Sequence, residues 1–158
     1  MAATERAHPP IEYIDTPAAL SAFCEALKGS EWIALDTEFI REKTYFPKLC
    51  LVQVATPDRV ACIDPLALDD MTPLLDVIFN SGITKVMHAA RQDMEIFYHL
   101  RGAVPAPVFD TQIAALFCGY RTSSLAKLVE GFVGHQLDKS AQLSDWTRRP
   151  LPKADLAY

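Results

Sequence analysis

The 158-residue chain lacks most of the features that mark secreted, membrane-spanning or zinc-finger proteins. Its four cysteines show no C-x-x-C spacing, so reduced buried thiols are expected rather than a zinc site or a disulfide framework. No apolar run approaches the roughly 20 residues of a membrane span, and residues 1–10 contain no secretory signal. Basic residues are not in excess, because the net charge is −5. These absences predict a cytoplasmic protein that has no membrane partner and no bulk basic surface.

Half of the residues are hydrophobic, which is enough for one domain with a sizeable core. A flexible N-terminus at residues 1–10 and a single domain at 11–158 are expected. Hydrophobic periodicity and turn residues predict strands at 11–14, 32–39, 49–55, 59–63, 84–87 and 108–109. Helices are predicted after Thr16 and at 72–79, 90–100, 111–118, 125–132, 138–146 and from 152 onward. Strands that first meander and then alternate with helices indicate an α/β fold with a mixed sheet flanked by helices.

The chain is organised around residues 32–55, WIALDTEFIREKTYFPKLCLVQVA. An apolar strand ends here in Asp36 and Glu38, which lie two residues apart and therefore on the same face. Two like charges at the edge of a core are costly unless a cation accompanies them, and magnesium or manganese suits carboxylate oxygens. The alternative is that both residues only begin a solvated turn.

A third carboxylate is predicted on the apolar stripe of a helix. Asp93 has Ile96, Phe97 and Leu100 at positions i+3, i+4 and i+7. It could instead be an ordinary first-turn residue, stabilised by the helix dipole. Together with Asp36 and Glu38, it would complete the kind of ligand set that a two-metal phosphoryl-transfer site needs.

At these residues the sequence resembles ribonuclease D, a member of the DEDD superfamily of 3′–5′ exonucleases. One motif is DTEF at 36–39, which continues into Arg41, Thr44, Tyr45, Pro47 and Gln53. A second is HAARQDME at 88–95. Further landmarks are DTQ at 110–112, LDKS at 137–140, DW at 145–146 and RPL at 149–151.

The resemblance implies a ribonuclease-H-like (DnaQ-like exonuclease) fold, two divalent cations (Mg²⁺ or Mn²⁺) and RNA 3′ ends as substrate, with tRNA precursors as the expected class. No obligate protein partner is indicated. The implied metal ligands are Asp36, Glu38 and Asp93, and Tyr158 corresponds to the tyrosine that orients the attacking water. Substrate contacts are implied or suggested at Thr37, Phe39, His88 and Gln92.

The sequence departs from the family pattern at its end. The third family motif is Y-x-x-x-D, and Tyr158 is the last residue, so the fourth metal-binding aspartate would lie beyond it. Asp155 does not fit that spacing, and the family's C-terminal helical domains are absent. We expect a fragment of a complete enzyme, and a complete but catalytically impaired chain is the alternative.

Two other functions remain open at this stage. A proofreading-type DNA exonuclease would share the fold and the carboxylates, because nothing in these residues reads a 2′-hydroxyl. A non-catalytic RNA-binding domain would account for a missing fourth carboxylate.

Two surfaces are candidates for RNA contact in addition to the catalytic residues. One is the loop around Lys43, Tyr45 and Phe46, and the other is a set of basic side chains: Arg121, Lys127, Arg148 and Arg149.

Overall fold

The structure, a computed structural model, describes residues 9–41, 45–121, 124–137 and 144–156. Within these ranges the chain forms one six-stranded sheet with the strand order β1-β4-β3-β2-β5-β6. The strands are β1 (Ile11–Ile14), β2 (Trp32–Ile40), β3 (Lys48–Ala55), β4 (Val60–Ile63), β5 (Thr84–Met87) and β6 (Val108–Asp110). β3 runs antiparallel to β2 and β4, whereas β1 is parallel to β4, and β2, β5 and β6 are mutually parallel. The predicted mixed sheet is confirmed.

The helices are α1 (Pro17–Leu27), α2 (Thr72–Ile78), α3 (Arg91–Arg101), α4 (Thr111–Phe117), α5 (Leu125–Val133) and α6 (Lys153–Leu156). The start of α1 follows its sequence signal, since Thr16 Oγ1 accepts a hydrogen bond from the Ala19 N–H and Pro17 is the first helical residue. α1 buries Leu20, Phe23, Cys24 and Leu27, which lie at positions i, i+3, i+4 and i+7 on one face.

Both faces of the sheet carry an apolar cluster. The larger one joins Ile33 and Leu35 of β2 to residues of α1, α2 and α3. The smaller one lies on the opposite face and joins Cys50 and Cys62 to Trp146 and Leu151 near the C-terminus. β2 is therefore a central strand whose Ile33 and Leu35 pack against the helices, while Ala34 and Asp36 line a cavity. The packed face fixes the position of the residues at the end of the strand. The four cysteines form no disulfide; Cys24, Cys50 and Cys62 are buried, and Cys118 is exposed.

The short helix α2 buries Leu74, Val77 and Ile78, and Leu75 and Phe79 are partly buried. The face that such a short helix buries depends on its neighbours as well as on its own pattern. Ser124 occupies the N-cap position of α5 without a side-chain hydrogen bond.

The helix predicted at 138–146 lies mostly outside the described residues, and its described part is not helical. Asp145 Oδ1 accepts hydrogen bonds from Thr147 N–H (3.0 Å) and Thr147 Oγ1 (2.5 Å). A side chain that bonds to the backbone two residues ahead competes with helix formation. Trp146 is nevertheless buried, as predicted.

Arg149 attaches this C-terminal segment to the sheet. Its guanidinium donates to Asp64 Oδ2 (2.6 Å) and Oδ1 (2.8 Å) and to the backbone oxygen of Cys50 (2.7 Å). Asp64 also accepts a hydrogen bond from the Tyr13 hydroxyl. The suggestion that Arg149 contacts phosphates is therefore wrong, because this side chain is committed to an internal ion pair.

Candidate active site

The three carboxylates singled out from the sequence come from two adjacent elements at one end of the sheet. Asp36 and Glu38 extend from the same face of β2, and Asp93 lies in the first turn of α3, which follows the neighbouring strand β5. Asp93 is buried, as its place on the apolar stripe predicts, with an exposed fraction of 6%. Asp36 is reached by solvent and Glu38 is partly buried.

Thr37 connects the two elements. Its hydroxyl donates to Asp93 Oδ1 (2.5 Å), and its backbone N–H donates to Asp36 Oδ1 (3.0 Å). Thr37 thus holds one carboxylate from each side of the site. A contact between this N–H and a nucleotide, which the sequence suggested, would have to displace the bond to Asp36.

All three carboxylates have raised pKa values. Loss of hydration, followed by repulsion from Asp93, raises the pKa of Asp36 to about 6. Loss of hydration raises the pKa of Glu38 to about 7, with further repulsion from Asp36, Asp93 and Asp155. The pKa of Asp93 is raised by burial, and the hydrogen bond from Thr37 opposes that shift. The site therefore concentrates negative charge that a cation would stabilise.

The carboxylates do not form a closed cage. Across 9–41, 45–121, 124–137 and 144–156, no three His, Cys, Asp or Glu side chains converge closely enough to hold one metal ion. The donors are nevertheless hard oxygens of the kind that Mg²⁺ and Mn²⁺ prefer, so the residues present fit such an ion in chemistry and charge.

His88 lies at the end of β5 and shares with Asp36 a cavity of about 390 Å³. Thr111 Oγ1 donates its one hydrogen to the backbone oxygen of Met87 (3.0 Å). The 2.9 Å contact between His88 Nδ1 and Thr111 Oγ1 must then be donated by Nδ1–H. In the neutral ring this leaves Nε2 as the acceptor, ready to receive a hydrogen bond from a hydroxyl group.

Asp110 supports this part of the site in two ways. Its carboxylate caps α4 by accepting from the Gln112 N–H (2.8 Å). The same carboxylate also accepts from the N–H groups of Ala89 (3.0 Å) and Ala90 (2.9 Å) at the start of α3. Ala89 has a φ of +55°, which is costly for a residue with a side chain, and Asp110 stabilises it.

The remaining predicted site residues are less closely gathered. A register shift between Glu38 and Phe39 marks a bulge, which changes the direction of the chain directly after the second carboxylate. Phe39 is partly buried, and Gln92 is exposed in the first turn of α3. Tyr158 lies outside the described residues.

Asp155 is an acidic neighbour that motif spacing excluded. It is buried in α6, accepts a hydrogen bond from Ser144 Oγ (2.8 Å) and contributes to the raised pKa of Glu38. The signal for it was present in the sequence as an acid three residues before Tyr158. Only the packing of α6 shows that it faces the site.

The chain is similar in sequence to bacterial ribonuclease D. It is 49% identical over 134 residues to ribonuclease D of Bartonella henselae, covering 84% of this chain and 33% of that protein. It is 43% identical over 148 residues to ribonuclease D of Escherichia coli, covering 93% of this chain and 40% of that protein. The chain thus spans about two fifths or less of the length of these curated relatives.

Solved structures show the same likeness. The crystal structure of Escherichia coli RNase D, described as an exoribonuclease involved in structured RNA processing, matches with a TM-score of 0.90 and 42% identity. That match covers 94% of this chain and 40% of the other. The catalytic core of RRP6 from Trypanosoma brucei matches with a TM-score of 0.84 and 30% identity, over 95% of this chain and 42% of that one. The predicted ribonuclease-H-like fold and the resemblance to ribonuclease D are confirmed.

A family model described as 3′-5′ exonuclease matches residues 11–158, nearly the whole chain. The chain belongs to the 3′-5′ exonuclease family.

Proposed function

We propose that this domain hydrolyses RNA from its 3′ end, one nucleotide at a time, and releases nucleoside 5′-monophosphates. The observation that carries the proposal is the concentration of Asp36, Glu38 and Asp93 at one end of the sheet, with all three pKa values raised. Such a site holds charge suited to divalent cations and phosphate rather than to an apolar ligand.

In this proposal Asp36, Glu38 and Asp93 hold two divalent cations, Mg²⁺ or Mn²⁺. Such ions, when bound, lower the pKa of a water and stabilise charge on the departing 3′ oxygen. Thr37 positions Asp36 and Asp93 relative to each other through its two hydrogen bonds. Asp155 adds negative charge beside Glu38, which favours a cation there.

Other residues would hold the substrate. Tyr158 orients the attacking water, as its place in the family motif implies, and a tyrosine with an ordinary pKa near 10 is better suited to orientation than to base catalysis. Phe39 packs against the terminal base, Gln92 contacts the nucleotide from the first turn of α3, and Thr37 does so only after releasing Asp36. His88 Nε2 accepts a hydrogen bond from a ribose hydroxyl.

The choice of RNA over DNA is supported by the ribonuclease D likeness, and the His88 acceptor is suited to a 2′-hydroxyl. Precursors of tRNA are the proposed physiological substrates. The described helices include none long and apolar enough to cross a bilayer. A cytoplasmic location is proposed because the cysteines are free, as is usual for proteins of a reducing compartment.

The direct test is hydrolysis of a 5′-labelled single-stranded RNA with Mg²⁺ or Mn²⁺, beside a DNA oligonucleotide of the same sequence. A ladder that shortens by one nucleotide from the 3′ end supports the proposal. Preference for the DNA would favour the proofreading-type function. The same assay is run on a version of the chain extended past Tyr158 to complete the Y-x-x-x-D motif. If both proteins bind RNA and neither shortens it in Mg²⁺ or Mn²⁺, the result favours a non-catalytic RNA-binding domain.

We expect Mn²⁺ affinity to fall roughly 20-fold between pH 8 and pH 6, because metal ligands must be deprotonated. The pKa values of about 6 for Asp36 and about 7 for Glu38 mean that both ionise in this interval. Calorimetry at pH 6, 7 and 8, in two buffers of different ionisation enthalpy, measures the affinity and the protons released. The Glu38→Gln variant should show a flatter profile. An affinity independent of pH in the unmodified chain would contradict the assignment of these ligands.

We expect His88→Ala to raise KM for RNA about tenfold, the value of one hydrogen bond, with a smaller change in kcat. Thr111→Val should produce part of that effect, since it removes the group that fixes the Nδ1–H tautomer. Steady-state kinetics on RNA and on its 2′-deoxy counterpart tests this. The penalty should be larger for RNA, and equal penalties on both substrates would exclude a 2′-hydroxyl contact.

A further inference from the structure

Three aromatic rings form a surface cluster where the loop between β2 and β3 meets α3. The Phe46 ring lies parallel to the His99 imidazole, with centroids 4.0 Å apart and planes inclined by 15°. The Tyr45 ring meets Phe46 edge-on, at 4.9 Å and 86°. We call Tyr45, Phe46 and His99 the aromatic cluster.

The cluster has a fixed position relative to the candidate active site. Arg41, at the end of β2, donates to Glu95 of α3 over 2.6 Å, and Phe46 stacks on the same helix. β2 carries two of the three carboxylates, and α3 carries the third. The loop is therefore attached on both of its sides to the elements that build the site.

The rings are presented to solvent rather than used as core. Tyr45 is 88% exposed and Phe46 is 47% exposed. The exposed Lys48 follows the loop directly and adds a cation beside the rings, whereas Arg41 on the other side of the loop is paired with Glu95. Flat exposed rings beside cations are the combination that binds single-stranded nucleic acid, because any base can stack on a ring while the cations attract the backbone.

We propose that the aromatic cluster is a stacking subsite for a base of single-stranded RNA upstream of the 3′-terminal nucleotide, with Tyr45 as the principal contact. The inference rests on the proposed function, and it extends that function by adding a site that makes RNA affinity depend on substrate length. RNA long enough to reach the cluster gains affinity, whereas a dinucleotide gains none. Phe46 supports the Tyr45 ring through an edge-on contact, and His99 stacks on Phe46.

The test uses RNA oligonucleotides of 2 to 12 nucleotides, with 2-aminopurine placed in turn at each position. Binding is followed by anisotropy in Ca²⁺, and stacking is followed by quenching of the 2-aminopurine emission. We expect quenching at one upstream position in the unmodified chain, absent in Tyr45→Ala and retained in Tyr45→Phe. The affinity gained with length should fall about 5- to 100-fold in Tyr45→Ala.

Tyr98→Ala is the matched control, because Tyr98 is also an exposed tyrosine but belongs to α3 and lies outside the aromatic cluster. If Tyr45→Ala and Tyr98→Ala both bind long RNA with the affinity of the unmodified chain, the stacking subsite is refuted. The aromatic cluster would then be a candidate contact surface for another protein. In that case RNA shortening by all three proteins would leave the nuclease proposal standing. If none of the three binds or shortens RNA, both proposals fail.

Discussion

Asp36→Asn is expected to lower the rate of 3′-nucleotide release on the order of 10³-fold, because several kcal/mol of charge stabilisation through the metal would be lost. The fold should be preserved. Asparagine retains an Oδ1 that can accept the Thr37 N–H, and losing one of three mutually repelling charges relieves strain at the site. Single-turnover cleavage of labelled RNA at saturating Mn²⁺, together with thermal unfolding, separates the two effects.

Asp69→Asn is the matched control for this variant, since Asp69 is an exposed acid before α2, remote in sequence from the three carboxylates. This substitution removes the same formal charge, and the variant should cleave RNA at the rate of the unmodified chain. If Asp36→Asn cleaved within a few-fold of that rate, Asp36 would not hold a metal. The proposed role of the whole carboxylate group would then need revision.

Arg149→Met is expected to lower the free energy of unfolding by about 3 kcal/mol, because it leaves the Asp64 carboxylate buried without its ion pair. The Asp64 side chain is 2% exposed and that of Arg149 is 25% exposed. Arg149 also donates to the backbone oxygens of Cys50, Trp146 and Arg148. Urea unfolding at pH 7 measures the loss as a shift in midpoint.

Arg148→Met is the control, because Arg148 is the exposed neighbour and contributes only its backbone oxygen to this network. Burial raises the pKa of Asp64, and hydrogen bonds from Arg149, Tyr13 and the Leu66 N–H outweigh it, so the folded-state pKa is lowered. Such a group stabilises the fold above its unfolded pKa of about 3.9, and the contribution is lost as the pH falls through the folded value. The difference between Arg149→Met and the unmodified chain should therefore shrink at pH 3. Equal midpoints at pH 7 would show that the ion pair contributes no net stability.

Short-range patterns predicted much of this domain because they depend on neighbouring residues. Strand β2 and its two carboxylates follow from alternation, which fixes which residues share a face. The start of α1 follows from Thr16 and Pro17, whose cap is a local hydrogen bond. Asp93 on the apolar stripe of α3 follows from helical periodicity, and its burial confirms that placement.

Pairings between distant residues could not be predicted in this way. Thr37 was assigned to the substrate, whereas its hydroxyl bonds to Asp93, 56 positions along the chain. Arg149 was assigned to phosphate, whereas Asp64, 85 positions away, holds it. In both cases the side chain can make either contact, and only the three-dimensional neighbourhood selects one.

The sequence by itself indicated the kind of chemistry, since it places carboxylates at the end of an apolar strand and on the apolar face of a helix, where a cation would compensate their charge. The tertiary structure decided the electrostatics and the supports of that chemistry. It places Asp155 near Glu38, gives His88 its tautomer through Thr111, and lets Asp110 stabilise the start of α3. The physical reason is range: periodicity acts over one or two turns, whereas pKa values and hydrogen-bond partners depend on whatever the fold brings within a few ångströms.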